Sequence, residues 1–77
     1  MEKDLIEYIA KSLVDDPSQV SVKVVEEEKS IILELRVAED DIGKVIGKHG
    51  RIAKAMRTVL LAAAAKTGKH TTLEIAD

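Results

Sequence analysis

The chain has no cysteine, no tryptophan, no phenylalanine and a single tyrosine, Tyr8, among its 77 residues. Without cysteine, neither disulfides nor thiolate metal sites are available, which excludes the small secreted proteins that replace a core with cross-links. One tyrosine cannot supply the aromatic platform on which RRM, OB-fold and cold-shock modules stack bases. Long apolar runs are missing too. The longest, Val59 to Ala65, has seven residues, whereas a membrane span needs about 20, so no membrane segment is expected. The opening Met-Glu-Lys-Asp-Leu-Ile lacks the basic start and apolar stretch of a secretory signal, and a cytoplasmic location is expected.

One further absence is local. Formal net charge is -2, which taken whole argues against a phosphate-rich partner. Residues 1–41, however, hold 12 acids against five bases, a balance of -7, while residues 42–73 hold seven bases and no acid at all. Such segregation points to an anion-binding surface on the second half of the chain.

The periodicity divides the chain into six elements. Leu5, Ile6, Ile9, Ala10 and Leu13 recur at helical spacing over residues 3–14, with acids in the first turn, until Asp15-Asp16-Pro17-Ser18 stops the helix. Val20, Val22 and Val24 then alternate with Ser21 and Lys23, and Ile31, Leu33, Leu35 and Val37 alternate with Ile32, Glu34 and Arg36. This predicts two strands in an antiparallel hairpin. Ile42, Val45 and Ile46 suit a short helix behind an acidic turn. A longer helix is predicted from Arg51 to about Lys66, closed by Gly68. Thr71, Leu73 and Ile75 alternate in a third strand. The expected class is α+β, in the order α-β-β-α-α-β, as one domain over residues 1–77 with a three-stranded sheet and three helices packed on one face.

Gly47-Lys48-His49-Gly50 separates the last two helices. Two glycines around two polar residues can be a tight helix connection. They can equally let the chain approach a ligand, with the free N–H groups and positive dipole end of the helix starting at Arg51 aimed at the loop. Lys44, Lys48 and Arg51 would turn that loop into a phosphate cradle. It is not a Walker loop, because only three residues separate Gly43 from Gly47 and His49 follows the lysine.

Ile42-Gly43-Lys44-Val45-Ile46-Gly47-Lys48-His49-Gly50-Arg51 resembles the I-G-x-V-I-G-x-x-G core of KH domains, and the element order resembles the type II KH fold over essentially the whole chain. With Gly-Arg-x-x-Lys-Ala-x-Arg-Thr following, the chain is similar to the KhpA family of small bacterial RNA-binding proteins. The resemblance implies that single-stranded RNA is clamped with its backbone on the loop, Lys48 and His49 meeting phosphates. Gly43, Val45 and Ile46 would line an apolar groove for the bases, flanked by Lys44, Arg51, Lys54 and Arg57. Many KH domains carry a bulky aliphatic residue three positions after the second loop glycine; Ala53 stands there, and a shallower groove is expected. The family further implies self-association, pairing with a larger Jag-type KH protein, and RNA chaperoning or regulation tied to cell elongation and division.

The remaining residues offer little chemistry. Asp40 and Asp41 point apart on a helix and are read as dipole compensation. His49 and His70 have no cysteine and no evident carboxylate partner, so no metal is expected. No nucleophile, base and orienting group assemble, and no enzyme and no cofactor are expected. On the long helix, Ile52, Met56, Val59, Leu60 and Ala63 share the face expected to meet the sheet. Leu61, with Ala65 a turn further, lies on the opposite side and marks a dimer contact. The competing reading is a protein-assembly module whose glycine loop only connects helices.

Overall fold

The structure, a computed structural model, describes residues 2–76; the two ends of the expected 1–77 domain, Met1 and Asp77, lie outside the described residues. The first helix, α1, covers Glu2–Leu13 and buries Ile6 and Ala10, with Val14 continuing the stripe one residue past its end. That stripe repeats every four residues, as one helix face requires. Leu5, expected in the core, sits about 100° round the helix from Ile6 and is exposed. A 3₁₀ turn at Pro17–Gln19 leads into the sheet.

Strands β1 (Ser21–Glu26), β2 (Ser30–Arg36) and β3 (His70–Ile75) form one sheet in the order β1-β2-β3. The β1–β2 hairpin is antiparallel, with Val22 opposite Leu35 and Val24 opposite Leu33, as the alternation predicts. Its short connection is closed by Glu27 N–H donating to the Ser30 carbonyl at 2.8 Å, without an Asn-Gly turn. Strand β3 pairs with β2 in parallel, Leu33 opposite Leu73. A parallel pair needs a crossover, and here the crossover carries both remaining helices, α2 (Ile42–Ile46) and α3 (Arg51–Thr67). All three helices lie on the sheet, and Ile6, Leu33, Leu35, Val45, Leu60 and Leu73 are fully buried between the layers. Each such side chain contributes about 1.5–3 kcal/mol of transfer free energy. The α-β-β-α-α-β order and the three-stranded sheet are those of a type II KH fold.

The long helix is rotated relative to expectation. Ala53, Met56 and Leu60 form its buried stripe, whereas Val59 is exposed and Ile52 half-buried. An alanine-rich helix has a broad apolar face, so composition alone does not fix which stripe meets the sheet. Ile52 and Val59 instead flank α1, where with Ile9, Leu13 and Met56 they border an apolar groove of about 320 Å³. Ala53 is packing material in the core rather than the floor of an open groove.

A buried carboxylate fixes the start of the crossover. Asp41 is 2% exposed. Its Oδ1 and Oδ2 accept the backbone N–H groups of Asp15 and Asp16 at 3.3 and 3.1 Å, and Lys44 Nζ donates to Oδ1 at 3.1 Å. Lys44 also pairs with Asp15 at 3.0 Å. Desolvation pushes the Asp41 pKa upward, but the two backbone donors and the ammonium outweigh it and hold the carboxyl below its ordinary value of 3.8. Dipole compensation is therefore not the role of Asp41. It ties the chain leaving α1 to the chain entering α2.

Candidate nucleic-acid interface

The glycine loop is built from left-handed backbone. Gly47 has φ 80° and ψ 168°, His49 φ 58° and ψ 24°, and Gly50 φ 71° and ψ 15°. The loop is closed by the Gly50 N–H donating to the Gly47 carbonyl at 3.0 Å, while Gly47 N–H ends α2 on the Gly43 carbonyl at 2.9 Å. At Gly47 an added β-carbon would also lie 2.6 Å from Ile52 Cγ1, so packing as well as torsion requires glycine there. His49 holds a conformation that few side chains adopt, though histidine is among the more tolerant. Lys48 and His49 are both exposed at the tip. Gly50 at the N-cap of α3 has no side chain to cap it, and the Arg51 N–H is taken by the Lys48 carbonyl; the positive end of the helix lies beside two basic side chains.

Gly43 behaves differently. It lies within α2, its φ is unexceptional, and a β-carbon there would meet nothing within 4 Å. Neither torsion nor packing within the fold calls for glycine, which costs roughly 0.5–1 kcal/mol relative to alanine inside a helix. Its bare backbone faces outward next to Ile46, which is 36% exposed. Together they form a small apolar surface leading into the loop.

Of the other residues expected at the site, Arg51 and Lys54 are exposed. Arg57 is exposed too, and its Nε and Nη2 lie 3.4 Å from the Leu73 carbonyl, which lays the guanidinium against β3. Two expectations are corrected. Val45 is 0% exposed; three residues after Ile42 it faces inward and belongs to the core, so it cannot line a groove. Lys44 is drawn away by Asp15 and Asp41; hydrogen bonds to the two carboxylates raise its pKa and compensate its charge. Leu61 is 57% exposed and Ala65 is exposed further along α3. Leu61 borders a depression of about 180 Å³ with Arg57, His70 and Thr72, in the crease between α3 and β3.

Sequence reasoning missed the Asp41 anchor and the fit of Gly47 on Ile52. The first joins residues about 25 positions apart by donors every residue possesses, and left no sequence signal. The second was half visible, since a glycine followed five positions later by a β-branched residue is a pattern only when the turn between them is known. Among the described residues no helix is long and apolar enough to cross a membrane.

Comparison with known proteins agrees with this geometry. A family model described as KhpA/KhpB, KH domain, matches residues 3–75. The chain is 63% identical to RNA-binding protein KhpA of Clostridium acetobutylicum, covering 95% of this chain and 97% of the relative. It is 58% identical to that of Borreliella burgdorferi, covering 99% and 93%, and 54% identical to that of Treponema pallidum, covering 100% and 96%. Among solved structures, Era in complex with MgGDPNP and nucleotides of 16S ribosomal RNA superposes with a TM-score of 0.68 at 21% identity, over 96% of this chain and 28% of that one. Aquifex aeolicus Era bound to GDP and AlF4⁻ gives 0.64 at 20%, over 96% and 29%. At that identity the likeness concerns the fold alone. The relatives at high identity are named for RNA binding. Full-length identity of this order, the matching family model and the type II KH order together place the chain in the KhpA/KhpB family of KH domains.

Proposed function

We propose that this single-domain chain binds single-stranded RNA, with the phosphate backbone on the Gly47–Gly50 loop and the bases against Gly43 and Ile46. Lys48 and His49 meet phosphates directly, at the positive end of α3. Arg51, Lys54 and Arg57 supply charge along the flank. Lys44 and Val45 have structural roles and stand outside this site. The observation that carries the reading is Gly43, a helix glycine that the fold does not need and a close-approaching ligand does. The relatives' naming as RNA-binding proteins supports it. Without aromatic stacking, the loop groove itself discriminates little among bases, which suits an RNA chaperone or post-transcriptional regulator in the cytoplasm, in a system serving cell elongation and division.

The same chain acts as a homodimer, or paired with a larger Jag-type KH protein, through Leu61 and Ala65 on the distal half of α3. The exposure of a large aliphatic side chain on a domain this small supports that role. The competing reading, an assembly module whose loop merely joins two helices, makes no use of exposed Lys48 and His49.

Replacing Lys48 and His49 together with Asp decides between the two. Loss of RNA binding with an unchanged melting temperature is expected. Unchanged RNA affinity would leave the assembly module as the reading.

A further inference from the structure

A second depression lies at the other end of α2 from the glycine loop, where the carboxyl ends of β2 and β3 meet the start of β1. Its volume is about 590 Å³. Gln19, Ser21, Arg36 and Glu39 line it with polar groups, and Val37 and Ile42 supply apolar wall. Arg36 and Glu39 are exposed, and among the described residues neither guanidinium nor carboxylate has an ion-pair or hydrogen-bond partner. Val37 also packs against the core, but the fold makes no use of the Arg36 guanidinium or the Glu39 carboxylate.

Its chemistry is that of a nucleotide. An apolar wall accepts the face of a base, while an amide and a carboxylate on the rim can read its edge. Glutamine pairs with adenine through its amino group and ring nitrogen, and a carboxylate accepts from the amino group of cytosine. Uracil presents a carbonyl where these bases present an amine; the glutamine amide can meet that carbonyl, but a carboxylate set against it is repelled, so discrimination falls to Glu39. A guanidinium beside the pocket suits the phosphate attached to that base.

The location connects the pocket to the loop. Ile42 opens α2 and Ile46 closes it against Gly47; at about 1.5 Å per residue the helix is roughly 7 Å long, a span that one or two nucleotides bridge. From these observations we infer that the RNA footprint continues past the loop groove into this depression, which takes one further nucleotide, with its phosphate on Arg36 and an amino-bearing base, adenine or cytosine, at Gln19 and Glu39. Arg36 thus adds to the length of RNA held, and Glu39 repels phosphate but selects the base. The inference rests on RNA binding at the glycine loop.

The test compares RNAs of four adenines, seven adenines and seven uracils on the full chain, by fluorescence anisotropy at one salt concentration. Seven adenines should bind about tenfold tighter than seven uracils. Arg36→Ala should remove most of the advantage of seven adenines over four, leaving only the statistical gain from extra registers, with four-adenine affinity and melting temperature unchanged. Glu39→Gln should shrink the adenine-over-uracil ratio. If Lys48→Asp with His49→Asp abolishes binding of all three RNAs while Arg36→Ala and Glu39→Gln change nothing, the pocket is overturned and the loop site stands. If the loop variant leaves four-adenine binding intact, both readings fall.

Discussion

Gly47 and Ile52 are fitted to each other across the glycine loop, so that a side chain on Gly47 would start 2.6 Å from Ile52 Cγ1 and 2.9 Å from its Cβ. The Gly47 torsions, φ 80° and ψ 168°, cost a non-glycine residue about 1–3 kcal/mol, and the overlap adds to it because the Ile52 Cβ cannot rotate away. Gly47→Ala should therefore lose at least about 2 kcal/mol and lower the melting temperature by roughly 10 °C. Calorimetry that finds the variant as stable as the parent would show that the loop can relax around a methyl group.

Gly43 should respond in the opposite direction. With open space at its β-carbon and ordinary helical torsions, Gly43→Ala should stabilise the domain by about 0.5–1 kcal/mol. It should at the same time weaken RNA binding about tenfold, by holding the ligand off the backbone. Higher stability with undiminished RNA affinity would remove Gly43 from the binding surface.

Lys44 and Lys48 are four residues apart and should be separable by salt. Lys48→Ala removes a free charge from the loop, and the slope of log affinity against log salt should fall by about 0.7. Lys44→Ala should leave that slope unchanged while lowering the melting temperature, because it uncovers Asp15 and Asp41. Equal slope changes would put Lys44 back on the RNA.

The Asp41 anchor predicts a pH dependence. Its carboxyl is held below 3.8 in the folded chain, so the unfolded chain binds the proton first and stability rises with pH across that interval. The contribution is complete above the unfolded pKa of about 3.9 and is lost as pH falls through the lower native value. Asp41→Asn should lower the urea midpoint at pH 6 and flatten its fall between pH 4 and 2 relative to the parent. Parallel pH profiles for parent and variant would assign the acid sensitivity to other carboxylates.

Leu61→Asp places a charge on the exposed flank of α3. Sedimentation velocity should shift towards monomer, with the helix content by circular dichroism unchanged. An unaltered sedimentation coefficient would take Leu61 out of any self-association.

What could be read from the sequence was whatever repeats along one element. The alternation of Leu33 and Leu35, or the spacing of Ile6 and Ala10, specifies buried faces because each residue's neighbours belong to the same strand or helix. Five-residue α2 is too short for its period to decide between Val45 and Ile46, and the first proved to be core while the second is open to solvent. Lys44 and Asp41 stand at a spacing of three that one helical turn brings together, but their ties to Asp15 and Asp16 were not legible, since these depend on how the turn after α1 docks. The loop's position was recognisable, because left-handed backbone leaves a visible trace in Gly47 and Gly50, whereas the same backbone at His49 left none. Its basic flank followed from counting charges by position.

The parallel pairing of β2 with β3 also orders events in time. Strand β1 finds β2 across a short turn, whereas Ser30 must find His70 across the entire crossover, and the longer closure carries the larger entropic penalty. The hairpin can thus assemble early; the segment bearing Gly47–Gly50 is held at its start by the Asp41 anchor and at its far end when the final strand docks. A nascent chain that has not yet extended past His70 already displays every basic residue of the loop, but not the geometry that holds them. On this order of closure, a full grip on a ligand is expected only with completion of the sheet.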